Sequence, residues 1–126
     1  MRSRNVLLTL FFVLLLLAVF VVRRVREPGG RELFDRTPDR LKYTRHALCR
    51  MDCRRISRED IAEVMSKGVI NLSESNRHAR PCPTYALQGT TSGGEYLRVI
   101  FAQCTDETRV VTCYNLKIRF PCGSCE

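Results

Sequence analysis

The sequence predicts an α+β domain carried on an N-terminal transmembrane helix, with two short helices packed on a four-stranded antiparallel sheet. Three observations predict it: an uncharged apolar run at residues 6–22, apolar residues at helical spacing between residues 44 and 67, and a change to an alternating period beyond Gly68. The chain divides accordingly into a membrane anchor (1–22), a linker (23–40) and a small cysteine-rich domain (41–126).

The apolar run Val6 to Val22 lies between Arg2 and Arg4 on one side and Arg23, Arg24 and Arg26 on the other. At ~1.5 Å rise per residue it reaches roughly 25 Å, and arginines that snorkel at both ends close the gap to the ~30 Å hydrocarbon core. A cleaved signal peptide has the same basic start and apolar middle, but here the run meets Arg23-Arg24 with no small-x-small cleavage pair, which favours an uncleaved anchor. The bilayer is therefore the first expected partner, through residues 6–22. Residues 23–40 follow, with Pro28, Gly29, Gly30 and Pro38 among alternating charges, a composition that spaces a domain from the membrane and buries little.

Thr44 is placed to cap a first helix running to about Arg54. Ser57 and Asp60 form a variant capping box for a second, in which Ile61, Val64 and Met65 recur on one face and Gly68 supplies the stop. Four strands are expected over Val69–Leu72, Tyr85–Gly89, Tyr96–Cys104 and Arg109–Leu116, with tight connections at Ser92-Gly93-Gly94 and Thr105-Asp106-Glu107. A four-residue loop from Thr105 to Thr108 would set Cys104 against Arg109 and Ile100 against Cys113. Ile100, Ala102, Val111, Cys104 and Cys113 would then share one face, and Leu97, Val99, Phe101, Val110 and Tyr114 the other. Both faces are apolar enough to need cover, one from the helices and one from the tail with Phe120, Cys122 and Cys125.

The net charge of +8 invites a nucleic-acid reading, but five of the arginines flank the apolar run and are accounted for as headgroup contacts. Seven cysteines, all beyond the anchor, exceed what small buried hydrophobes explain. Disulfides are the expected use of Cys49, Cys53, Cys82, Cys104, Cys113, Cys122 and Cys125, with the connectivity open and the odd count leaving at least one unpaired within the chain. That chemistry needs an oxidising compartment, so the domain is expected on the extracytoplasmic side, although the arginines flanking the span give almost no preference of orientation, and what there is slightly favours a cytoplasmic domain.

Near the start of the domain His46, Cys49, Arg50 and Cys53 fall in one narrow helical sector. His46, Cys49 and Cys53 with His78 or Cys82 could be offered to zinc, but structural zinc draws ligands from closer knuckles, and disulfides joining the helix cysteines to Cys82, Cys104 or the tail fit better. Cys122-Gly123-Ser124-Cys125 has redox spacing, but no helix follows it to lower a thiol pKa. No metal and no cofactor is expected. The sequon at Asn71-Leu72-Ser73 is too short a pattern to carry weight.

The run His46-Ala47-x-x-Arg50-Met51-x-x-Arg54-x-Ile56, then Glu59-Asp60-Ile61-x-x-Val64 and Gly68, and the closing Arg109-Val110-Val111-Thr112-Cys113-Tyr114, resemble the bacterial family known as domain of unknown function 4258. The resemblance covers roughly residues 43–116, and the anchor and cysteines mark a membrane-attached, cysteine-rich branch. It implies kinship with the RelE and ParE toxins and their ribonuclease-like fold, two helices on a curved antiparallel sheet. Fold alone does not carry ribonuclease activity. If it did, His46, Arg50, Arg54 and, more loosely, Tyr114 are the positions that could serve: His46 as proton carrier and Arg50 as a bidentate phosphate holder.

Two classes of function follow. The first is a non-enzymatic, disulfide-braced binding or scaffolding module at the membrane surface, with an unidentified protein partner. The second is a metal-independent ribonuclease toxin or its degenerate descendant, with RNA as partner. The cysteines favour the first.

Overall fold

The computed structural model describes residues 2–25 and 33–125. An apolar helix α1 (Arg2–Val25) belongs to one compact unit, and a second compact unit begins at Phe34. Helix α1 is long and apolar enough to cross a membrane, with mean hydropathy 3.0, a test that a signal sequence also passes. Part of the expected linker, residues 26–32, lies outside the described residues.

The second unit runs β1 (Leu41–Tyr43), α2 (Arg45–Arg54), α3 (Arg58–Lys67), β2 (Val69–Asn76), β3 (Thr84–Thr90), β4 (Tyr96–Gln103) and β5 (Thr108–Asn115), closing on a 3₁₀ turn at Gly123–Cys125. The sheet has five strands in the order β1-β5-β4-β3-β2. It is mixed, which corrects the expected four antiparallel strands: β1 lies parallel to β5, with Leu41 beside Thr108 and Tyr43 beside Val110. Three residues are too few to declare themselves by alternation, and β1 is recruited by the edge of β5.

Both helices start where the side chains can satisfy free N–H groups. The Thr44 hydroxyl accepts from Ala47 N–H at 3.0 Å and donates to the Val111 carbonyl at 3.2 Å, so one residue caps α2 and fastens it to β5. Ser57 and Asp60 form the reciprocal capping box of α3. Arg55 ends α2 in the left-handed region at φ 55°, which turns the chain into α3. Gly68 ends α3, as expected, without entering the left-handed region. Its φ is −64°, and a Cβ there would lie 2.4 Å from the Val64 carbonyl oxygen and 3.1 Å from that of Gln88. Close approach to the last turn of α3, and more loosely to β3, demands glycine.

Ala47, Met51, Ile56, Ile61 and Val64 from the helical segment meet Tyr85, Leu87, Leu97, Val99, Phe101, Val110 and Cys113 from the sheet in one buried cluster. The register of β4 on β5 differs from expectation. The chain turns back already at Cys104, whose N–H bonds the Glu107 carbonyl at 2.9 Å, and Gln103 faces Thr108. A bulge then shifts the pairing between Ile100 and Phe101, so that Val110 and Cys113 both point into the core. Cys113 therefore faces Val99, not Ile100, and joins the face with Leu97 and Phe101. Neither the one-residue shift of the turn nor the bulge has a sequence signal that alternation alone can read.

The stretch placed in the linker also contributes to the core. Phe34 is fully buried, its ring 5.7 Å from that of Tyr85 and 5.2 Å from that of Phe101. Around it, Arg36 donates to the carbonyls of Met65 and Ser66 at the end of α3, and Asp35 and Gln103 exchange hydrogen bonds. Thr108 N–H bonds the Arg40 carbonyl at 2.9 Å. Residues 34–40 are a strap on the domain, where the expected spacer reached to residue 40.

Candidate functional site

Six cysteines form three bridges: Cys49–Cys125, Cys53–Cys122 and Cys82–Cys104. Cys113 is the seventh, a buried free thiol, so among the seven disulfide candidates it is the one without a sulfur partner. The first two bridges are a matched pair. Cys49 and Cys53 are one turn apart on α2, Cys122 lies just before the 3₁₀ turn and Cys125 in it, so the tail is fastened to the helix at two points. This replaces the expectation that the tail covers the second face of the sheet. That face instead carries polar groups: Arg98 donates to Gln88 at 2.9 Å and pairs with Glu74 at 3.3 Å, and Gln88 accepts from Asn71 and donates to Tyr96.

Between the end of β5 and the tail bridges lies a cleft of about 470 Å³, lined by Arg54, Arg98, Tyr114 and residues 115–120. The sequence builds it in steps. Asn115 accepts on its side-chain oxygen from Lys117 N–H and Ile118 N–H, at 3.0 and 2.9 Å, a local turn that bends the chain away from β5. The following residues arch back to Cys122, which is held to Cys53, the neighbour of Arg54. Arg54 is fixed under the arch: its guanidinium donates to the Cys113 carbonyl and lies 4.7 Å from the centre of the Tyr114 ring. Arg98 and Tyr114 are direct partners across β4 and β5. The cleft thus holds four cations, Arg54, Arg98, Lys117 and Arg119, and no carboxylate among its lining residues.

The four residues that the resemblance offered for ribonuclease chemistry are therefore divided. Arg54 and Tyr114 come together in the basic cleft. Exposed His46 lines a separate depression with Arg45, Cys49, Ser124 and Cys125, and its Nε2 accepts from Arg50 Nε at 3.4 Å. Arg98, Lys117 and Arg119 were not singled out by the sequence. Their signals are an arginine among the apolar residues Leu97 to Ala102 of β4 and the alternation Lys117-Ile118-Arg119-Phe120. Beneath the cleft, burial pushes the Cys113 thiol up to about 11, the nearby Arg54 and Arg50 charges drawing it back only in part. On the other flank, Glu107 bridges Lys42 of β1 at 2.7 Å and Arg109 of β5, and these two hydrogen-bonded cations hold its carboxyl below the usual range. Among the described residues no group of three or more His, Cys, Asp or Glu side chains is arranged to hold a metal ion.

No curated protein matches the chain, and no solved structure does. The family described as Domain of unknown function (DUF4258) matches residues 43–115, from the last residue of β1 to the last residue of β5. That is more than half of the chain, and both the helix pair and the strands β2 to β5 lie within it; the chain belongs to this family.

Proposed function

We propose that the protein is a non-enzymatic binding or scaffolding module, a membrane-attached and cysteine-rich branch of its family, with its domain on the oxidising, extracytoplasmic side of the bilayer that residues 6–22 enter. The observation that carries this reading is the pairing of six of the seven cysteines in three bridges. Two of those bridges close chain separations of 76 and 69 residues, and such bridges persist where thiols are not kept reduced. Uncleaved, α1 would tether the domain and bring its partner, a protein or an anionic group, to the membrane surface.

The ribonuclease reading requires a proton carrier beside the phosphate-holding cations. His46 stands beside Arg50 at one depression, whereas Arg54 and Tyr114 line another, so the residue set that the family pattern offers is split into two pairs and only one of the two cations is beside the proton carrier. The kinship with RelE- and ParE-type toxins is supported by two helices laid over a mostly antiparallel sheet, and that bears on fold rather than activity.

Thiol labelling of intact and permeabilised cells tests the proposal. The expected result is no labelling of the six bridged cysteines in either preparation until a reductant is added. Labelling of those six cysteines without reductant, and only after permeabilisation, would place the domain in a reducing compartment and end this reading.

A further inference from the structure

We propose that the cleft between β5 and the tail binds a phosphate-bearing ligand, and that the Cys53–Cys122 bridge holds one wall of that site in place. The proposal rests on the binding-module reading above and adds the chemistry of the ligand.

The charge balance carries it. Arg54 spends its contacts on neutral partners, the Cys113 carbonyl and the Tyr114 ring, so its full charge remains for a ligand. Lys117 and Arg119 are exposed and have no ion-pair partner among the described residues. Of the four cations Arg98 alone has an ion-pair partner, Glu74 at 3.3 Å, whose side chain is half exposed, and the exposed Glu95 is bonded to Asn115 at the edge of the cleft. At least three uncompensated positive charges face one space without a carboxylate in its lining. An anion of charge two or more is the complement.

Geometry selects phosphate over carboxylate. The donors converge from α2, β4 and the tail, which suits a tetrahedral oxyanion with oxygens on several sides, whereas a planar carboxylate occupies one guanidinium fork. Arg54 is held by its carbonyl bond and its ring contact before any ligand arrives, so little side-chain freedom is lost on binding. At about 470 Å³ the cleft exceeds a bare phosphate and takes an ester with an organic substituent, for which Tyr114, Ile118 and Phe120 offer apolar surface. The shared chemistry is a phosphate monoester or diphosphate, from a soluble organic phosphate or from an anionic lipid headgroup.

The test uses the full chain in uncharged detergent micelles, with its three bridges first verified by non-reducing peptide mapping, so that a failure of the ligand assignment is separate from a failure of the disulfide reading. Pyrophosphate titrated by calorimetry should bind saturably at one site. Lys117→Ala together with Arg119→Ala, both exposed positions, should weaken it about tenfold or more with the melting temperature unchanged. Removing the nearer tail bridge by Cys53→Ser with Cys122→Ser, which leaves Cys49–Cys125 in place, should weaken it severalfold. In nanodiscs, displacement of pyrophosphate by phosphatidic acid assigns the site to a headgroup, and displacement only by soluble phosphate esters assigns it to a soluble ligand; either supports the proposal. No pyrophosphate binding to the fully oxidised chain, binding unaffected by the Lys117 and Arg119 changes, or equal affinity for citrate would overturn it.

Discussion

Cys113 shows how the same residue type serves two purposes in a small domain. Six sulfurs are bonded to one another, while this one sits in the core against Val99, with no exposed surface, and burial raises its pKa to about 11. A thiol so placed is a small apolar group, and the thiolate needed for alkylation is both scarce and shielded at neutral pH. Iodoacetamide at pH 8 is therefore expected to label no cysteine of the folded, oxidised protein and one, Cys113, after unfolding in guanidinium; mass spectrometry of the digested protein checks it. The sign of the linkage follows from the raised value. Stability that depends on keeping this proton is full below the ordinary thiol pKa and is lost as the pH rises towards 11. The sequence indicated that at least one of seven cysteines lacks a partner, but not which one. The bulge that turns Cys113 inward is a backbone feature with no side-chain signature.

At the scale of elements, the helix pair was legible almost to the residue, because its signals are local: Thr44 and Ser57 as caps, the 3.6-residue apolar repeat, and Gly68 as the stop. What sequence reasoning missed depends on distant contacts. Strand β1 exists because β5 offers it a parallel edge, and the strap at residues 34–40 exists because Phe34 finds Tyr85 and Phe101, far along the chain. Charged and proline-containing surroundings masked that aromatic anchor as part of a spacer. Its weight is measurable. Phe34→Ala should destabilise the domain by about 3–5 kcal/mol, the cost of emptying a fully buried aromatic site, read from the denaturant midpoint. A shift within about 0.5 kcal/mol, the range of ordinary surface substitutions, would return residues 34–40 to the linker. The basic cleft was legible only in halves. Arg54 and Tyr114 were candidates on the strength of family resemblance, whereas Arg98, Lys117 and Arg119 join them through strand pairing and the fastened tail, which no local pattern encodes.

For the whole molecule the bridges bear on stability directly and carry the proposal about compartment. Cys49–Cys125 and Cys53–Cys122 are nested, so once either is closed the other closes only a short remaining loop. In the loop-entropy account, removing either one by paired serine substitution should cost about 2–3 kcal/mol, and removing both about 7, more than the sum of the two single losses. Domains of this kind hold roughly 5–15 kcal/mol in total, so the double removal approaches unfolding while each single one leaves a folded protein, and denaturant titration of the three variants checks the inequality. The central claim, that this is a domain braced by disulfides on the oxidising side of a membrane, is tested most directly by non-reducing peptide mapping of the protein from membranes lysed in guanidinium with a thiol trap present, so that the buried Cys113 is reached as well. The account predicts linked peptides joining Cys49 to Cys125, Cys53 to Cys122 and Cys82 to Cys104, with Cys113 alone carrying the trap. Trap on all seven cysteines would contradict it.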